Sequence, residues 1–122
     1  MAYENINNPR SFIAGADLSA KQFRFVRINS SGKIVTAVGA GDCIGVLQDK
    51  PAANSPGQVC GPGDVTKVVT GGTFSAGDYI QSDINGAAVS TTTGASSMGQ
   101  ALIASGAAGE VVTILFQPSA TS

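Results

Sequence analysis

The sequence predicts an all-β protein: a small barrel or sandwich built from two internally repeated hairpin units, preceded by an extended N-terminal arm. Three observations lead there. Residues 25–37, FVRINSSGKIVTA, align without a gap on residues 79–91, YIQSDINGAAVST, at a constant offset of 54 from Phe25 to Tyr79. In that match Val26 meets Ile80, Asn29 meets Asp83, Gly32 meets Gly86, Val35 meets Val89 and Thr36 meets Ser90. Each copy is two short apolar runs around a polar turn, and Asn85-Gly86 suits the positive φ angles of a tight hairpin. Secondly, short β-branched and apolar runs recur at close spacing between Gly-rich connections, the grammar of a sandwich or barrel. Thirdly, a glycine, an acid and then an apolar run follow one another four times, at Gly41-Asp42, Gly63-Asp64, Gly77-Asp78 and Gly109-Glu110. The glycine supplies the positive φ that ends a turn, and the carboxylate accepts backbone N–H groups as the next strand begins.

Taken in order, residues 1–20 read as the arm. They are rich in Asn, Gly and small residues, follow neither a helical nor a strand period, and contain Pro9, which opposes regular pairing. Strands are expected over 23–29, 33–38, 43–48, 58–60 and 65–70, and again over 78–82, 87–91, 98–104 and 110–117. Residues 21–118 then form a single β domain, with repeat one at about 21–61 and repeat two at about 75–117, and 119–122 a tail. The only helix candidate, ASSMGQALIAS at 95–105, is rejected because the repeat runs through it. Ile44-Gly45 aligns with Met98-Gly99 at the same offset of 54, Leu47 falls near Leu102, and the first copy is β-branched and apolar. Gly57-Gln58-Val59 then aligns with Gly109-Glu110-Val111 at an offset of 52, and Leu18–Ala20 echoes Phe74–Ala76 at 56. The two copies are expected to superpose through a pseudo-two-fold, with Gly32 and Gly86 both in turns, each copy covering the other's apolar face.

Composition narrows the function. Of 122 residues, 43% are hydrophobic and only 12% charged, half the ~25% of an ordinary globular domain. A surface dressed in Ser, Thr, Asn and Gly suits a subunit that buries much of itself against partners. Burial is also two-sided: Val112, Ile114 and Phe116 oppose Val111 and Leu115, while Phe23 and Phe25 oppose Val26 and Ile28. A neighbouring subunit is the simplest cover. The net charge of −1 lacks the basic stripe of a nucleic-acid binder. No apolar run is long enough to span a bilayer, and no export signal leads the chain, so cytosolic synthesis is expected. Cys43 and Cys60 match no zinc spacing, histidine is absent, and both cysteines read as small apolar side chains.

Catalytic readings do not hold. Ser30-Ser31-Gly32-Lys33 matches S-x-x-K, but it falls in a hairpin turn rather than at a helix start. A cysteine nucleophile has no histidine base. GAGDCIG has glycines at 39, 41 and 45 without a following βαβ unit, so it is no dinucleotide fingerprint. The four Gly-acid pairs lack the alternate oxygen ligands of a calcium loop. No enzyme, cofactor or metal is expected. What remains is a basic cluster, Arg10, Lys21, Arg24 and Arg27, suited to a partner contact.

The order F-V-R-I-N-x-x-G-K-I-V-x-A, G-V-L, G-x-V, G-D-V, G-D-Y-I-x-x-D-x-x-G-x-A-V, M-G-Q-A-L and A-A-G-E-V-V-x-I-L-F resembles the small capsid cement, or head decoration, proteins of tailed bacteriophages. The resemblance runs from about Asp17 to Gln117. It implies a non-enzymatic β-rich virion protein, commonly a homotrimer, that sits on the outer capsid surface and clamps adjacent major capsid protein subunits. Beside it, our reading of the residues places capsid contacts on Tyr3, Ile6, Arg10, Phe12 and Ile13 of the arm, and a basic contact face on Lys21, Arg24 and Arg27. The alternatives are a carbohydrate- or surface-binding adhesion module and, further off, a small hydrolase. The first would want aromatic platforms where the chain has no Trp and two Tyr, and the second a charged constellation in a pocket.

Overall fold

Ten short strands form among the described residues, and in several of them burial alternates as a pleated ribbon requires. The structure, a computed structural model, describes residues 10–39, 43–91 and 97–117. The strands are β1 (Arg10–Ile13), β2 (Phe25–Ile28), β3 (Ile34–Thr36), β4 (Gly45–Val46), β5 (Pro56–Val59), β6 (Val65–Val69), β7 (Tyr79–Ser82), β8 (Ala88–Ser90), β9 (Gly99–Ala101) and β10 (Val111–Phe116). No helix occurs among the described residues, and the described part of the rejected segment contains β9. One sheet runs β6-β10-β9-β7-β8, and smaller ones run β3-β2-β4 and β1-β5. A Leu47–Val59 bridge joins the last two, flanked by Gln48 N–H donating to Gln58 O (2.8 Å) and Cys60 N–H to Val46 O (3.1 Å). The first half therefore reads β1-β5-β4-β2-β3, the same order as β6-β10-β9-β7-β8. The fold is an all-β sandwich of two such units, and no strand ladder closes into a barrel among the described residues.

The match is residue by residue. Val26 pairs with Thr36 and Gly45 as Ile80 pairs with Ser90 and Gly99, all at the offset of 54. Leu47–Val59 corresponds to Ala101–Ile114, so β5 maps onto β10 at 55 rather than the expected 52. β1 maps onto β6 at 56: Ala14 bridges Ile34 as Thr70 bridges Ala88, both parallel. Loop bonds follow. Leu18 N–H donates to Pro51 O (2.9 Å) as Phe74 N–H does to Ser105 O (3.1 Å), and Phe23 N–H to Leu47 O as Gly77 N–H to Ala101 O (both 2.7 Å).

Two expectations are corrected here. Residues 10–18, expected within the irregular arm of residues 1–20, belong to the β domain, and residues 1–9 lie outside the described residues. β1 pairs with β5 in the register Arg10–Val59 to Ile13–Pro56, and Ala14 and Leu18 are buried in the first unit's interior. Tyr3 and Ile6 lie outside the described residues. The repeat also begins earlier than 21 and 75, because β1 and β6 belong to it.

The interiors correspond too. In the first unit Ala14, Leu18, Val26, Ile34, Leu47 and Val59 cluster with Phe12 and Ile44. Their counterparts Thr70, Phe74, Ile80, Ala88, Ala101, Ile114, Val68 and Met98 are all buried. Leucine becomes phenylalanine at 74 while isoleucine and leucine become alanine at 88 and 101, so volume is exchanged across one core. Phe25, Ala37, Val46 and Cys60, on the opposite face of the first unit, belong to the second unit's cluster, with the Phe25 and Phe116 ring centroids 6.2 Å apart.

The junction is not two-fold. Val69 N–H donates to Phe23 O and Phe25 N–H to Gly86 O (both 2.8 Å), Arg24 Nη1 to Asn85 O (3.0 Å), and Gln48 Nε2 to Thr66 Oγ1 (2.8 Å). A two-fold would make each contact twice with the roles exchanged. Yet Tyr79, the counterpart of Phe25, is 48% exposed, and Ile13, the counterpart of Val69, is 41% exposed. The units are related head to tail, which corrects the expected pseudo-two-fold.

Candidate interaction surface

The residues singled out in the sequence fall on β1, on the loop before β2, and on β2 itself. Arg10 is exposed at the start of β1, Ile13 is exposed at its end, and Phe12 between them is half-buried against the first unit's interior. Arg24 is committed to the junction through Asn85. Arg27 is half-buried on β2, and its Nε is buried without a hydrogen-bond partner. Lys21 sits in the turn before β2, its N–H donating to Leu18 O (3.0 Å). Arg24 and Ile28 bracket β2, about 13 Å apart along an extended strand, and Arg10 lies with Ile28 at the far end.

Arg10 instead stands over a small apolar cavity of about 170 Å³, lined by Arg10, Phe12, Ile28, Ile44, Val59, Cys60, Gly61 and Pro62. One asymmetry of the duplication lies in its wall. At the offset that carries Val59 to Ile114, Gly61 corresponds to Phe116, a fully buried ring. The mouth of the second unit is plugged by phenylalanine, and the mouth of the first is open where glycine stands. The sequence signal was available in the pairing of Gly61 with Phe116, but the offset of 52 concealed it.

The chemistry of the remaining groups is structural. Gly63, Gly77 and Gly109 all take positive φ (88°, 92° and 89°). The acid after each caps its own turn: Asp64 Oδ2 accepts from Gly61 N–H (2.9 Å), Asp78 Oδ2 from Ser75 N–H (2.9 Å) and Glu110 Oε1 from Gly106 N–H (3.0 Å). The fourth pair, Gly41-Asp42, lies outside the described residues. In the hairpins, Asn29 Oδ1 accepts from Ser31 and Lys33 N–H as Asp83 Oδ1 accepts from Asn85 and Ala87 N–H. Ser30–Lys33 is that turn, with Lys33 Nζ donating to Asn54 Oδ1 (3.1 Å). Burial pushes the Cys60 thiol up to about 11, and Val46 N–H donates to its sulfur (3.4 Å). A buried thiol with so high a pKa is no nucleophile at neutral pH. No group of three or more His, Cys, Asp or Glu is placed to hold a metal ion among the described residues.

Seven large hydrophobic side chains are exposed among the described residues. Tyr79, Leu102 and Val111 are exposed on the second unit, Ile13, Ile28 and Val38 on the first, and Ile84 at a turn tip. On the second unit these side chains occupy the face whose counterpart, around Phe25 and Val46, is covered at the junction.

No protein-family model matches the chain, and no curated protein matches it. Among solved structures, 11 chains match. One is the head fiber gp8.5 N base of bacteriophage phi29, with a TM-score of 0.74 at 18% sequence identity, covering 90% of this chain and 93% of that one. At that identity the likeness is one of fold.

Proposed function

We propose that this protein is a non-enzymatic structural component of a phage virion, seated on the outer capsid surface, where it self-associates as a homotrimer and stabilises contacts between major capsid protein subunits. The observation that carries the reading is the likeness in fold, over nine-tenths of the chain, to the base of a phage head fiber. The low charge, the exposed apolar side chains and a site chemistry spent on turn capping support it. Clamping needs no reaction: weak contacts repeated over a symmetric shell add through multivalency. Tyr3 and Ile6 serve as apolar anchors toward the shell, and the open cavity under Arg10 receives an apolar side chain next to a carboxylate. The neighbour's name favours a second reading, in which the domain anchors a projecting fiber and contributes little to shell stability.

One experiment separates these. Purified protein is added to undecorated expanded heads, and bound protein and head survival on heating are both measured. Binding with a raised disruption temperature is the expected result. Binding without it favours the fiber base, and no binding at saturating protein overturns the assignment to the head surface.

A further inference from the structure

The head-to-tail junction has a consequence for assembly. On its first-unit side it is built from Phe23 O, Arg24, Phe25 N–H and Gln48, and on its second-unit side from Thr66, Val69 N–H, Asn85 O and Gly86 O. Duplication has carried a copy of each face to the other unit. The second unit's copy of the first face is Gly77, Asp78, Tyr79 and Leu102. The first unit's copy of the second face is Arg10, Ile13, Ser31 and Gly32. All of these are exposed except Asp78, which is half-buried.

We propose that these two faces bind one another between copies of this chain, so that the second unit of one protomer docks head to tail on the first unit of the next. The self-association proposed above is thereby given its surfaces. Tyr79 stands where Phe25 is fully buried at the internal junction, and Leu102 where Gln48 reaches Thr66. Ile13 stands where Val69 donates to the first unit. Three of the exposed large hydrophobic side chains therefore fall on the two unused faces, and the internal register sets Arg10 beside Leu102 and Asp78 beside Ser31. A heterologous contact of this kind closes into a ring when its rotation permits. Each ring would then repeat one junction alternately within and between chains.

The test uses sedimentation velocity on the full chain at about 50 µM, where a micromolar contact is largely formed, with circular dichroism checking the fold. Wild type, Tyr79→Arg, Ile13→Arg and an equimolar mixture of the two variants are compared. Wild type is expected to form a closed oligomer and each variant a folded monomer. The mixture is expected to form dimers and nothing larger, because each dimer retains one intact junction. Leu102→Arg and Ser31→Arg form a second pair at exposed positions should either first variant fail to fold. A monomeric wild type overturns both the faces and the self-association. An oligomer that survives Tyr79→Arg or Ile13→Arg overturns the faces and leaves self-association standing. A mixture that stays monomeric overturns the head-to-tail arrangement. Head binding is measured separately, so its failure is not mistaken for any of these.

Discussion

Gly45 and Gly99 occupy the same place in the two units, and neither tolerates a side chain. A Cβ at Gly45 would lie 2.0 Å from Cys60 O, and one at Gly99 would lie 2.0 Å from Leu115 O. The obstructing atom is backbone in both cases, held in the ladder between neighbouring strands, so no rotamer change relieves it. Gly45→Ala and Gly99→Ala are each expected to lose about 3 kcal/mol or more, the upper end of overpacking. Gly39→Ala, where nothing lies within 4 Å, should change little. Chemical denaturation of the three variants decides it. Cys60 gives a second residue-scale prediction. Burial raises its folded pKa from 9.0 to about 11, so the native state resists losing the proton that the unfolded chain gives up more readily. The stabilisation is whole below pH 9 and is lost as pH rises from 9 toward 11, amounting to roughly 2–3 kcal/mol. Cys60→Val should flatten that part of the stability curve, and an unchanged slope would assign it to other groups. Labelling of Cys60 at neutral pH should be slow in the folded state.

At the scale of elements, the hairpins were the legible part. Their turns are written in residues with one physical job, Asn29 and Asp83 capping, Gly32 and Gly86 at φ 77°. β1 was illegible for an equally physical reason. Four residues, Arg10–Ile13, carry no period long enough to detect, and its strand character comes from β5, which is distant in sequence. Phe23 and Asn54 hid the duplication at two further points. They take positive φ (64° and 66°) where the second unit uses Gly77 and Gly109, so the glycine landmark exists in one copy only. Of the basic cluster, Arg24 reaches across the junction to Asn85, Arg27 is half-buried on β2, and Lys21 sits in the loop before it. Truncation tests the revised boundary. Removing residues 1–9 keeps all of β1 and every described core residue and should cost less than the longer truncation. Removing residues 1–16 takes β1 and Ala14 as well and should cost several kcal/mol, since it uncovers β5 and opens the first core. Equal melting of the two truncations would return residues 10–16 to the arm.

For the whole molecule, the head-to-tail relation makes the units unequal partners. The second keeps Val112 and Phe116 where the first has Gly57 and Gly61, and so fills an interior that the first leaves open at its mouth. The first depends on its neighbour, because Phe25, Val46 and Cys60 are buried only on the face that meets the second unit's cluster. Fully burying a large aliphatic or aromatic side chain is worth roughly 1.5–3 kcal/mol, so separating the units exposes several such increments. Opening of the structure should therefore be asymmetric. Native-state hydrogen exchange on the full chain is expected to find the slowest amides in β10, β6 and β9, exchanging only by global unfolding. β1 and β5 should exchange through a smaller opening that leaves the second unit intact. Gly61→Phe, which places a ring where the duplication already accommodates Phe116, should slow exchange in β1 and β5 if the open mouth is what weakens that unit. Uniform protection across both units, or no response to Gly61→Phe, would mean that the junction locks the two into a single cooperative body in spite of the cavity.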